Sequence, residues 1–210
     1  MKNSQVSTAV IRRLPRYYRY LTDLSIAGVL KISSKALADK MGVTASQIRQ
    51  DLNCFGGFGQ QGYGYNVELL RQEIGAILGV DKNYNAVLIG VGNLGHAIAN
   101  HVKFEKRGIK LVGIFDIDEK LMGQEIKGIK VKHISELDEF CKEYQPKIAV
   151  LTLAKAETEK MMKQLCDLGV IGFWNFANME LKAPSDDITV VNVHLGDSLM
   201  TLCYDIKDKI

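Results

Sequence analysis

The residues with the clearest chemistry form a glycine-rich turn, Gly90-Val91-Gly92-Asn93-Leu94-Gly95. The apolar run before it, residues 86–89, predicts a buried strand, and the residues after it, from about 96 to 106, have a helical pattern. A second apolar run ends at Asp116, 21 residues after the last glycine of the turn. A G-x-G-x-x-G sequence between a strand and a helix, followed by an acid at this distance, is typical of a dinucleotide-binding βαβ unit.

Each of these positions has a chemical reason. Gly90 permits the tight turn after the strand, Gly92 lets a pyrophosphate approach the backbone, and Gly95 lets the helix pack close to the sheet. The first N–H groups of the helix would point at the phosphates. The carboxylate of Asp116, or alternatively that of Asp118, can accept hydrogen bonds from an adenosine ribose and would repel a 2′-phosphate, which predicts NAD(H) rather than NADP(H). The alternative is a Rossmann-like domain that binds another adenine nucleotide, or none.

The chain has 210 residues, of which 47% are hydrophobic, enough for one large or two small domains with a buried core. We find no signal peptide and no apolar run long enough to cross a membrane. Four scattered cysteines without a C-x-x-C pair are expected of free thiols in a reducing compartment rather than of a disulfide framework or a zinc site. These features predict a cytoplasmic protein without a membrane segment or a bound metal.

The charge is unevenly distributed along the chain. Residues 1–79 carry ten Lys or Arg and five Asp or Glu, whereas residues 80–210 carry seventeen and nineteen. The first 22 residues contain five basic groups and no acid. A basic N-terminal part on a slightly acidic body indicates a polyanionic partner, although a solvated basic face would give the same balance.

The basic N-terminal part has the pattern of a helix-turn-helix domain. Residues 7–27 are helical in pattern, and Pro15 predicts an interruption because it suits the first turn of a new helix. Ser34 can cap a short helix that ends at Gly42, and Thr44 opens a second helix to about residue 54. A short glycine turn followed by a capped second helix is the arrangement that places a recognition helix in the major groove of DNA.

The second helix has one apolar and one polar face. Ile48, Leu52 and Phe55 recur at helical spacing and should face the core, whereas the outward side chains can hydrogen-bond base edges and phosphates. Five glycines between residues 56 and 64, set among aromatics, predict a hairpin wing against the duplex backbone. A small helical dimerisation domain is the alternative. The predicted DNA contacts are Arg12, Arg13, Arg16, Tyr17, Ser46, Gln47, Arg49, Gln50, Gln60, Gln61 and Tyr63.

After the glycine turn, strands and helices alternate, which predicts an α/β domain with a Rossmann-like, doubly wound parallel sheet. Ligands bind at the carboxyl ends of such strands, so Thr152 and Asn175 are candidate cofactor contacts. We therefore expect a winged helix-turn-helix domain over residues 1–79, a Rossmann-like domain over residues 80–193 and a terminal helix over residues 194–210.

The terminal helix has more apolar surface than one neighbour covers. Leucine or isoleucine recurs at residues 195, 199, 202 and 206, and further apolar residues lie beside this stripe. A helix of this kind either packs on its own sheet or inserts into a partner subunit. A helix-turn-helix protein that reads a palindrome would use the second arrangement.

With these elements placed, the sequence resembles the bacterial redox-sensing repressor family Rex along nearly its whole length. The matching stretches are Leu14-Pro15-Arg16-Tyr17, Ser46 to Leu52 with Phe55-Gly56, Gly62-Tyr63-Gly64-Tyr65, Gly90 to Gly95, Phe115-Asp116 and Asn175-Phe176-Ala177. The resemblance implies a homodimer with exchanged C-terminal helices that binds double-stranded operator DNA and releases it when NADH rises. The predicted NAD(H) site comprises Gly90, Val91, Gly92, Asn93, Leu94, Gly95, Asp116, Asp118, His101, Thr152, Asn175, His194 and Leu195.

The sequence departs from the family pattern in three places. The wing has Gln60 and Gln61 where the family often carries Lys or Arg, which weakens a phosphate contact. His101 stands where the pattern has a tyrosine, and His194 and Leu195 stand where it has an acid and an aromatic nearby. These positions approach the nicotinamide in relatives, so they should affect how its oxidation state is discriminated here.

Two other classes of protein compete with a repressor. A small NAD-dependent oxidoreductase would need a substrate pocket and an acid–base group near the nicotinamide. The four histidines of the chain show no catalytic arrangement with Lys, Tyr or Cys. The third class is a nucleotide-regulated scaffold that does not bind DNA. The basic winged helix favours the repressor over both.

Overall fold

The computed structural model describes residues 6–56 and 63–209, and it divides between Asp81 and Lys82 into two compact units. The N-terminal unit is mainly helical, and the C-terminal unit is built on one large sheet. None of the helices in the described ranges is long and apolar enough to cross a membrane.

The described part of the N-terminal unit contains four helices, each of which follows a polar capping residue. Its elements are α1 (Thr8–Ile26), β1 (Lys31–Ile32), α2 (Ser34–Met41), α3 (Ala45–Asn53), β2 (Tyr65–Asn66) and α4 (Val67–Ile77). The capping side chains, which accept a backbone N–H, are those of Ser7, Ser33, Thr44 and Asn66. The predicted cap at Ser34 is therefore wrong by one residue, because Ser33 accepts the N–H of Ala36 and Ser34 is already helical.

Helix α1 is continuous through Pro15, so the predicted interruption is wrong. The buried residues of α1 form one stripe that runs past the proline: Val10, Leu14, Tyr17, Leu21 and Leu24. Pro15 lies on the exposed side, where water can replace the hydrogen bond that proline cannot donate. Burial on both sides of the proline therefore outweighs the lost bond.

Helices α2 and α3 form the predicted helix-turn-helix. Gly42 ends α2 with a φ of 64°, and the hydroxyl of Thr44 caps α3. Ile48 and Leu52 are fully buried, with Phe55 packed beside them, as predicted. Strand β1, which the sequence did not predict because two residues carry no periodicity, pairs antiparallel with β2. The expected wing connects to this pair, and its residues 57–62 lie outside the described part of the chain.

A buried carboxylate, that of Asp51, joins α3 to α1. It is 1% exposed and accepts four hydrogen bonds, from Arg13 Nε (2.7 Å) and Nη2 (2.8 Å), the Tyr17 hydroxyl (2.6 Å) and Gln47 Nε2 (2.8 Å). Burial by itself raises the pKa of Asp51, but the hydrogen bonds from these three side chains outweigh it and hold that pKa below its ordinary value. The ionised carboxylate therefore fixes how α3 lies on α1.

The C-terminal unit is the predicted doubly wound sheet. Its elements are β3 (Tyr84–Ile89), α5 (Asn93–His101), β4 (Ile109–Asp116), β5 (Glu125–Ile126), β6 (Ile129–His133), α6 (Leu137–Tyr144), β7 (Ile148–Leu151), α7 (Lys155–Asp167), β8 (Gly172–Asn175), β9 (Thr189–Asn192) and α8 (Leu195–Ile206). The strand order is β5-β6-β4-β3-β7-β8-β9, with every pair parallel except β5 and β6. The order reverses between β3 and β7, which is where such sheets bind ligands.

Two local predictions in this unit are wrong. Helix α5 ends at His101 rather than near residue 106, because Val102 is extended and residues 105–107 form a separate 3₁₀ turn. Residues Ser135 to Asp138 also predict a capping box that opens the helix before β7, but that helix does not begin with a capping box at Ser135. Instead, the His133 ring accepts the N–H of Ser135, and Glu136 accepts the N–H of His133.

The two faces of the sheet are covered unequally. Helices α6 and α7 cover one face along β3, β7 and β8 through Phe140, Met162 and Leu165. Helix α5 covers the other face over β3 and β4 through Ile98. On that second face β8 and β9 have less cover, since Trp174 is half-buried and Val191, its partner in the ladder, is 53% exposed.

Helix α8 has no buried residue. Its large apolar side chains are between 40% and 67% exposed: Leu195, Leu199, Met200, Leu202, Tyr204 and Ile206. The expectation that the terminal helix packs on its own sheet is therefore wrong for this chain. The second expectation, insertion into a partner subunit, stays a prediction.

We expect Asp51→Asn to destabilise the N-terminal unit by about 3 kcal/mol at pH 7, because the Arg13 guanidinium loses its buried counter-charge. The pKa of this carboxyl is lowered in the folded state. Its contribution is therefore present above the unfolded-state pKa of about 4 and is lost as the pH falls through the folded-state pKa. The stability difference between variant and wild type in urea unfolding should shrink below about pH 4.

The single tryptophan, Trp174, provides an internal control because it lies in the C-terminal unit. In Asp51→Asn the unfolding transition in far-UV circular dichroism should shift, while the fluorescence transition stays in place. Tyr17→Phe removes one neutral donor and should cost only about 1 kcal/mol. Equal stability of Asp51→Asn and wild type at pH 7 would contradict this account.

Candidate dinucleotide and nucleic-acid sites

The glycine turn lies at the carboxyl end of β3, beside the point where the strand order reverses. Gly90 has a φ of 94°, which favours glycine, and its N–H donates to the Phe115 carbonyl at 2.8 Å. Thr152, after β7, donates its hydroxyl to the Gly90 carbonyl at 2.7 Å. The turn is thus held from the strand on either side of β3.

The first and third glycines are required for packing, whereas the second is not. A Cβ on Gly95 would lie 2.0 Å from the Gly90 carbonyl oxygen, and a Cβ on Gly90 would lie 2.8 Å from the Thr152 carbonyl oxygen. Nothing lies within 4 Å of a Cβ placed on Gly92. Gly92 therefore faces open space, as a position that a ligand approaches should.

Helix α5 begins without a side-chain cap. Its cap residue is Gly92, and residues 92–94 are exposed, so the first N–H groups face solvent. The N-terminus of a helix also carries partial positive charge, which favours a bound phosphate. Val91 differs from its neighbours in the turn, because its side chain is buried and its N–H donates to Asp116.

Asp116 connects the end of β4 to the glycine turn. One carboxylate oxygen accepts the N–H of Val91, and the other accepts those of Ile117 (2.7 Å) and Asp118 (2.9 Å). The carboxylate is half-buried, and ionised oxygens have lone pairs left for a ribose hydroxyl. Asp118 is exposed and accepts the N–H of Lys120, so it caps the next short turn.

The side chain of Asn175 is not available to a cofactor. It is fully buried, its nitrogen donates to the Met179 carbonyl (3.0 Å) and to Asn192 Oδ1 (2.8 Å), and its oxygen accepts the N–H of Ala177 (3.0 Å). The prediction that Asn175 contacts the cofactor is therefore wrong, and the residue instead shapes the segment after β8. Thr152 does lie beside the turn, where its hydroxyl holds the Gly90 carbonyl.

The three residues predicted to approach the nicotinamide, His101, His194 and Leu195, lie outside the glycine turn, at the end of α5 and at the start of α8. Helix α5 runs back from the carboxyl edge of the sheet, so His101 lies about 12 Å along its axis from Asn93. His194 is the cap residue of α8, and its Nε2 lies 2.9 Å from Glu180 Oε1. Leu195 is 61% exposed. Their roles at a nicotinamide stay predictions.

The polar face of α3 is open to solvent, as a recognition helix requires. Ser46, Arg49 and Gln50 are exposed, and Gln47 is half-buried with its nitrogen on Asp51. Arg49 Nη1 donates to Ser34 Oγ at 3.2 Å, which holds the guanidinium beside the start of α2. Side chains able to contact bases and phosphates thus share one helix face.

The candidates on α1 fall into two groups. Arg12 and Arg16 are exposed, whereas Arg13 has two of its nitrogens on Asp51. Tyr17 is fully buried in the core, so the prediction that it contacts DNA is wrong. Burial and the bond to Asp51 raise the pKa of Tyr17, which keeps the phenol a neutral donor inside the unit.

Toward the C-terminal end of the wing, the described residues resume at Tyr63. Tyr63 is 71% exposed, and Lys31 Nζ lies 5.8 Å from the centre of its ring. Gln60 and Gln61 lie outside the described residues, so their contacts with DNA stay predictions.

Sequence reasoning missed Asp51, Glu180 and Asn192. Asp51 follows Gln47 by four residues, a spacing that indicates a pair on one helix face. Its partner Arg13 is 38 residues away, and no spacing points to that contact. Asn192 likewise joins segments that are distant in sequence, since its nitrogen donates to Glu180 Oε2 at 2.9 Å.

Taken with the fold, these sites define a class of protein. A helix-turn-helix unit with an exposed polar recognition face is followed by a Rossmann-like unit. The crevice of that unit is built from a glycine turn, an uncapped helix N-terminus and an acid. Over residues 6–56 and 63–209, no three His, Cys, Asp or Glu side chains are grouped to hold a metal ion. This combination is that of a DNA-binding regulator with a nucleotide-sensing domain.

Known proteins similar to this chain belong to that class. Residues 5–53 match a family described as putative DNA-binding protein N-terminus, and residues 81–179 match the CoA binding domain family. The redox-sensing transcriptional repressor Rex of Clostridium botulinum is 52% identical over 208 residues, 99% of each chain. That of Thermoanaerobacter pseudethanolicus is 50% identical over 208 residues, 99% of this chain and 92% of the relative.

Solved structures of RSP, a Rex-family repressor, have the same fold. RSP in complex with β-NAD⁺ and operator DNA is 50% identical, with a TM-score of 0.89 over 98% of this chain and 94% of that chain. RSP in complex with β-NADH is 47% identical, with a TM-score of 0.88 over 98% and 96%. The chain belongs to the Rex family of redox-sensing transcriptional repressors.

We expect Gly95→Ala to destabilise the protein and Gly92→Ala to leave its stability unchanged, because only Gly95 is packed closely against other atoms. The methyl group at position 95 would meet the Gly90 carbonyl oxygen, so this variant should lose about 1–3 kcal/mol of stability or more. The same change at position 92 meets nothing within 4 Å and should leave stability unchanged. Thermal unfolding followed by Trp174 fluorescence measures both. Equal destabilisation by the two substitutions would contradict the geometry of the turn.

Proposed function

We propose that this protein is a transcriptional repressor that senses the balance of NADH and NAD⁺ and releases a palindromic operator when NADH binds. The observation that carries the proposal is the presence, in one chain, of an exposed recognition face on α3 and of an acid bonded to a glycine turn in the Rossmann-like unit. The complexes of RSP with operator DNA, β-NAD⁺ and β-NADH support the same assignment.

The dinucleotide that fits the crevice is NAD(H). Its pyrophosphate would accept hydrogen bonds from the exposed N–H groups at residues 92–94, above the open side of Gly92. The adenosine ribose would donate to Asp116. A 2′-phosphate at the same place would be repelled by the carboxylate, so NADP(H) is disfavoured.

The DNA contact uses α3 in the major groove. Ser46, Gln47 and Gln50 face the base edges in this arrangement, and Arg49 lies beside them. Arg12 and Arg16 on α1 would contact phosphates, which bind all sequences alike.

We infer a homodimer that forms through α8. The helix presents an apolar stripe at residues 195, 199, 202 and 206, and the same chain leaves Trp174 and Val191 of the sheet partly uncovered. A second copy can cover both surfaces by exchanging its helix, since each copy supplies what the other lacks. A two-fold dimer also matches a palindromic operator.

Binding of NADH must act on DNA through two states of this dimer. In one state the two recognition helices lie about 34–36 Å apart, or a multiple of it, and in the other that spacing is lost. NADH favours the second state only if it binds that state more tightly, and DNA must then weaken NADH by the same factor. The oxidised nicotinamide is cationic, so burying it at an apolar dimer interface costs more than burying the neutral reduced ring.

In this proposal the protein is a regulator and not an oxidoreductase. The His133 ring hydrogen-bonds the Ser135 side chain, and the His194 ring hydrogen-bonds the Glu180 side chain. Both imidazole rings are therefore held by other side chains of the C-terminal unit. We place the protein in the cytoplasm, where the four free cysteines would stay reduced.

The cofactor assignment is tested by substitution of Asp116. Wild type should bind NADH far better than NADPH, and Asp116→Ala should weaken NADH by about tenfold or more and narrow the gap. Asp116→Asn is the matched control, because it keeps an oxygen for Val91 but removes the charge that repels a 2′-phosphate. This variant should gain affinity for NADPH. Calorimetry measures the affinities of all three proteins for both dinucleotides, and equal binding of NADH and NADPH by wild type would rule out the role of Asp116.

The dimer is tested on α8. Leu199→Glu places a charge in the apolar stripe and should dissociate the dimer, as should deletion of residues 195–210. Thr201→Glu is the control, because Thr201 lies off the stripe and its hydroxyl bonds only the preceding turn, at the Asp197 carbonyl. Sedimentation gives the oligomeric state, and operator binding with and without NADH gives the function. A Leu199→Glu protein that stays dimeric and still releases DNA with NADH would exclude this mechanism.

A further inference from the structure

The Asp51 carboxylate determines more than the packing of α3 on α1. We propose that Asp51 sets the base preference of Gln47: it holds Gln47 Nε2 inward and leaves Gln47 Oε1 to accept a hydrogen bond from the 6-amino group of an adenine. This inference rests on the proposed DNA binding and deepens it by naming the chemistry that is read. It makes Gln47 a specificity-determining residue and Asp51 its positioning residue.

The orientation of the Gln47 amide is fixed by the charge of Asp51. An ionised carboxylate can only accept hydrogen bonds, so the nitrogen of Gln47, and not its oxygen, must face it. That contact is 2.8 Å from Nε2 to Oδ1. A flipped amide would put two acceptors against each other beside a carboxylate that is 1% exposed, where water screens little. Arg13 and Tyr17 hold the carboxylate in place, so it cannot turn away from the repulsion.

The oxygen of Gln47 is left open to solvent. Within the described ranges no side-chain oxygen or nitrogen is both buried and without a hydrogen-bond partner. The hydrogen bonds of Gln47 are made by its nitrogens, to Thr44 Oγ1 and to Asp51, and no described donor reaches Oε1. Oε1 must therefore be accessible to water, on the helix that also exposes Ser46 and Gln50.

An accessible amide oxygen selects among the four bases. In the major groove adenine and cytosine present an amino donor, whereas guanine and thymine present acceptors that would repel Oε1. Adenine is favoured over cytosine because the second N–H on Gln47 Nε2 can donate to the adenine ring nitrogen beside the amino group. A carbonyl fixed outward therefore both attracts adenine and rejects the acceptor bases.

The experiment uses the full chain and duplexes with altered bases. A bound half-site is first selected from a random duplex pool, and each of its adenines is then replaced singly by the purine that lacks the 6-amino group. We expect one position where this loss weakens wild type about tenfold. Gln47→Ala should bind weakly there and show no further loss on removal of the amino group.

The role of Asp51 is tested with a matched pair of variants. Asp51→Asn and Tyr17→Phe both remove part of the same hydrogen-bond cluster, but only the first removes the charge that fixes the orientation of the Gln47 amide. In Asp51→Asn the ratio of affinities for the intact and amino-deleted sites should fall towards one, whereas Tyr17→Phe should keep the wild-type ratio. Because the ratio compares two sites with the same protein, a loss of folded protein does not change it. The Gln47→Ala arm does not depend on the folding of Asp51→Asn.

Each outcome supports or contradicts one part of this proposal. If no adenine depends on its 6-amino group, or if Gln47→Ala keeps the discrimination, Gln47 Oε1 is not the reader. If Asp51→Asn keeps the wild-type ratio, Asp51 does not position it. A wild type that selects no sequence from the pool overturns the proposed repressor function itself, which the other results leave standing.

Discussion

Apolar surface that a single chain leaves uncovered is the constraint on which the organisation of this molecule depends. Helix α8 has no buried residue, and beside β8 and β9 one face of the sheet lacks the helix that covers β3 and β4. Monomeric proteins seldom leave large contiguous apolar patches in water. The two surfaces come from consecutive elements of one chain, so an exchange between identical copies covers both without any new partner. In the proposed homodimer, this exchange would complete the Rossmann-like unit.

Two carboxylates, those of Asp116 and Asp51, each accept several hydrogen bonds at a point where two elements meet. Asp116 collects three backbone N–H groups where β4 ends, and Asp51 collects four side-chain donors between α1 and α3. Each converts a point where two elements meet into a fixed geometry, because an ionised carboxylate accepts donors from several directions at once. Each also stands behind the atoms that would touch a ligand: the glycine turn in one case and Gln47 in the other. A change at either acid should therefore alter recognition as well as stability.

The sequence predicted what is encoded locally. The glycine turn, the helix-turn-helix with its stop at Gly42 and the alternation of the sheet depend on spacings of a few residues, and the structure has them. The two wrong site predictions share one physical cause, which is that the direction of a side chain depends on distant partners. Tyr17 lies among arginines in sequence, yet its ring is in the core because Asp51 on α3 accepts its hydroxyl. Asn175 lies at the predicted strand end, yet its amide turns inward to Asn192. Pro15 failed to interrupt α1 because burial on either side of it decides that helix.

The polar contacts of Asn192 and Glu180 connect the carboxyl edge of the sheet to the proposed dimer interface. Asn192 ends β9, bonds both Asn175 and Glu180, and is followed within three residues by the start of α8. Glu180 also bonds His194, the cap residue of that helix. The anchor of α8 is therefore part of the carboxyl edge of the sheet, where a bound dinucleotide would lie.

Helix α8 has 12 residues. At a length of about 18 Å, a rotation of about 10° at the anchor moves its far end by about 3 Å. A displacement of that size is large for a close-packed interface, because packed surfaces shift between discrete arrangements rather than deform smoothly.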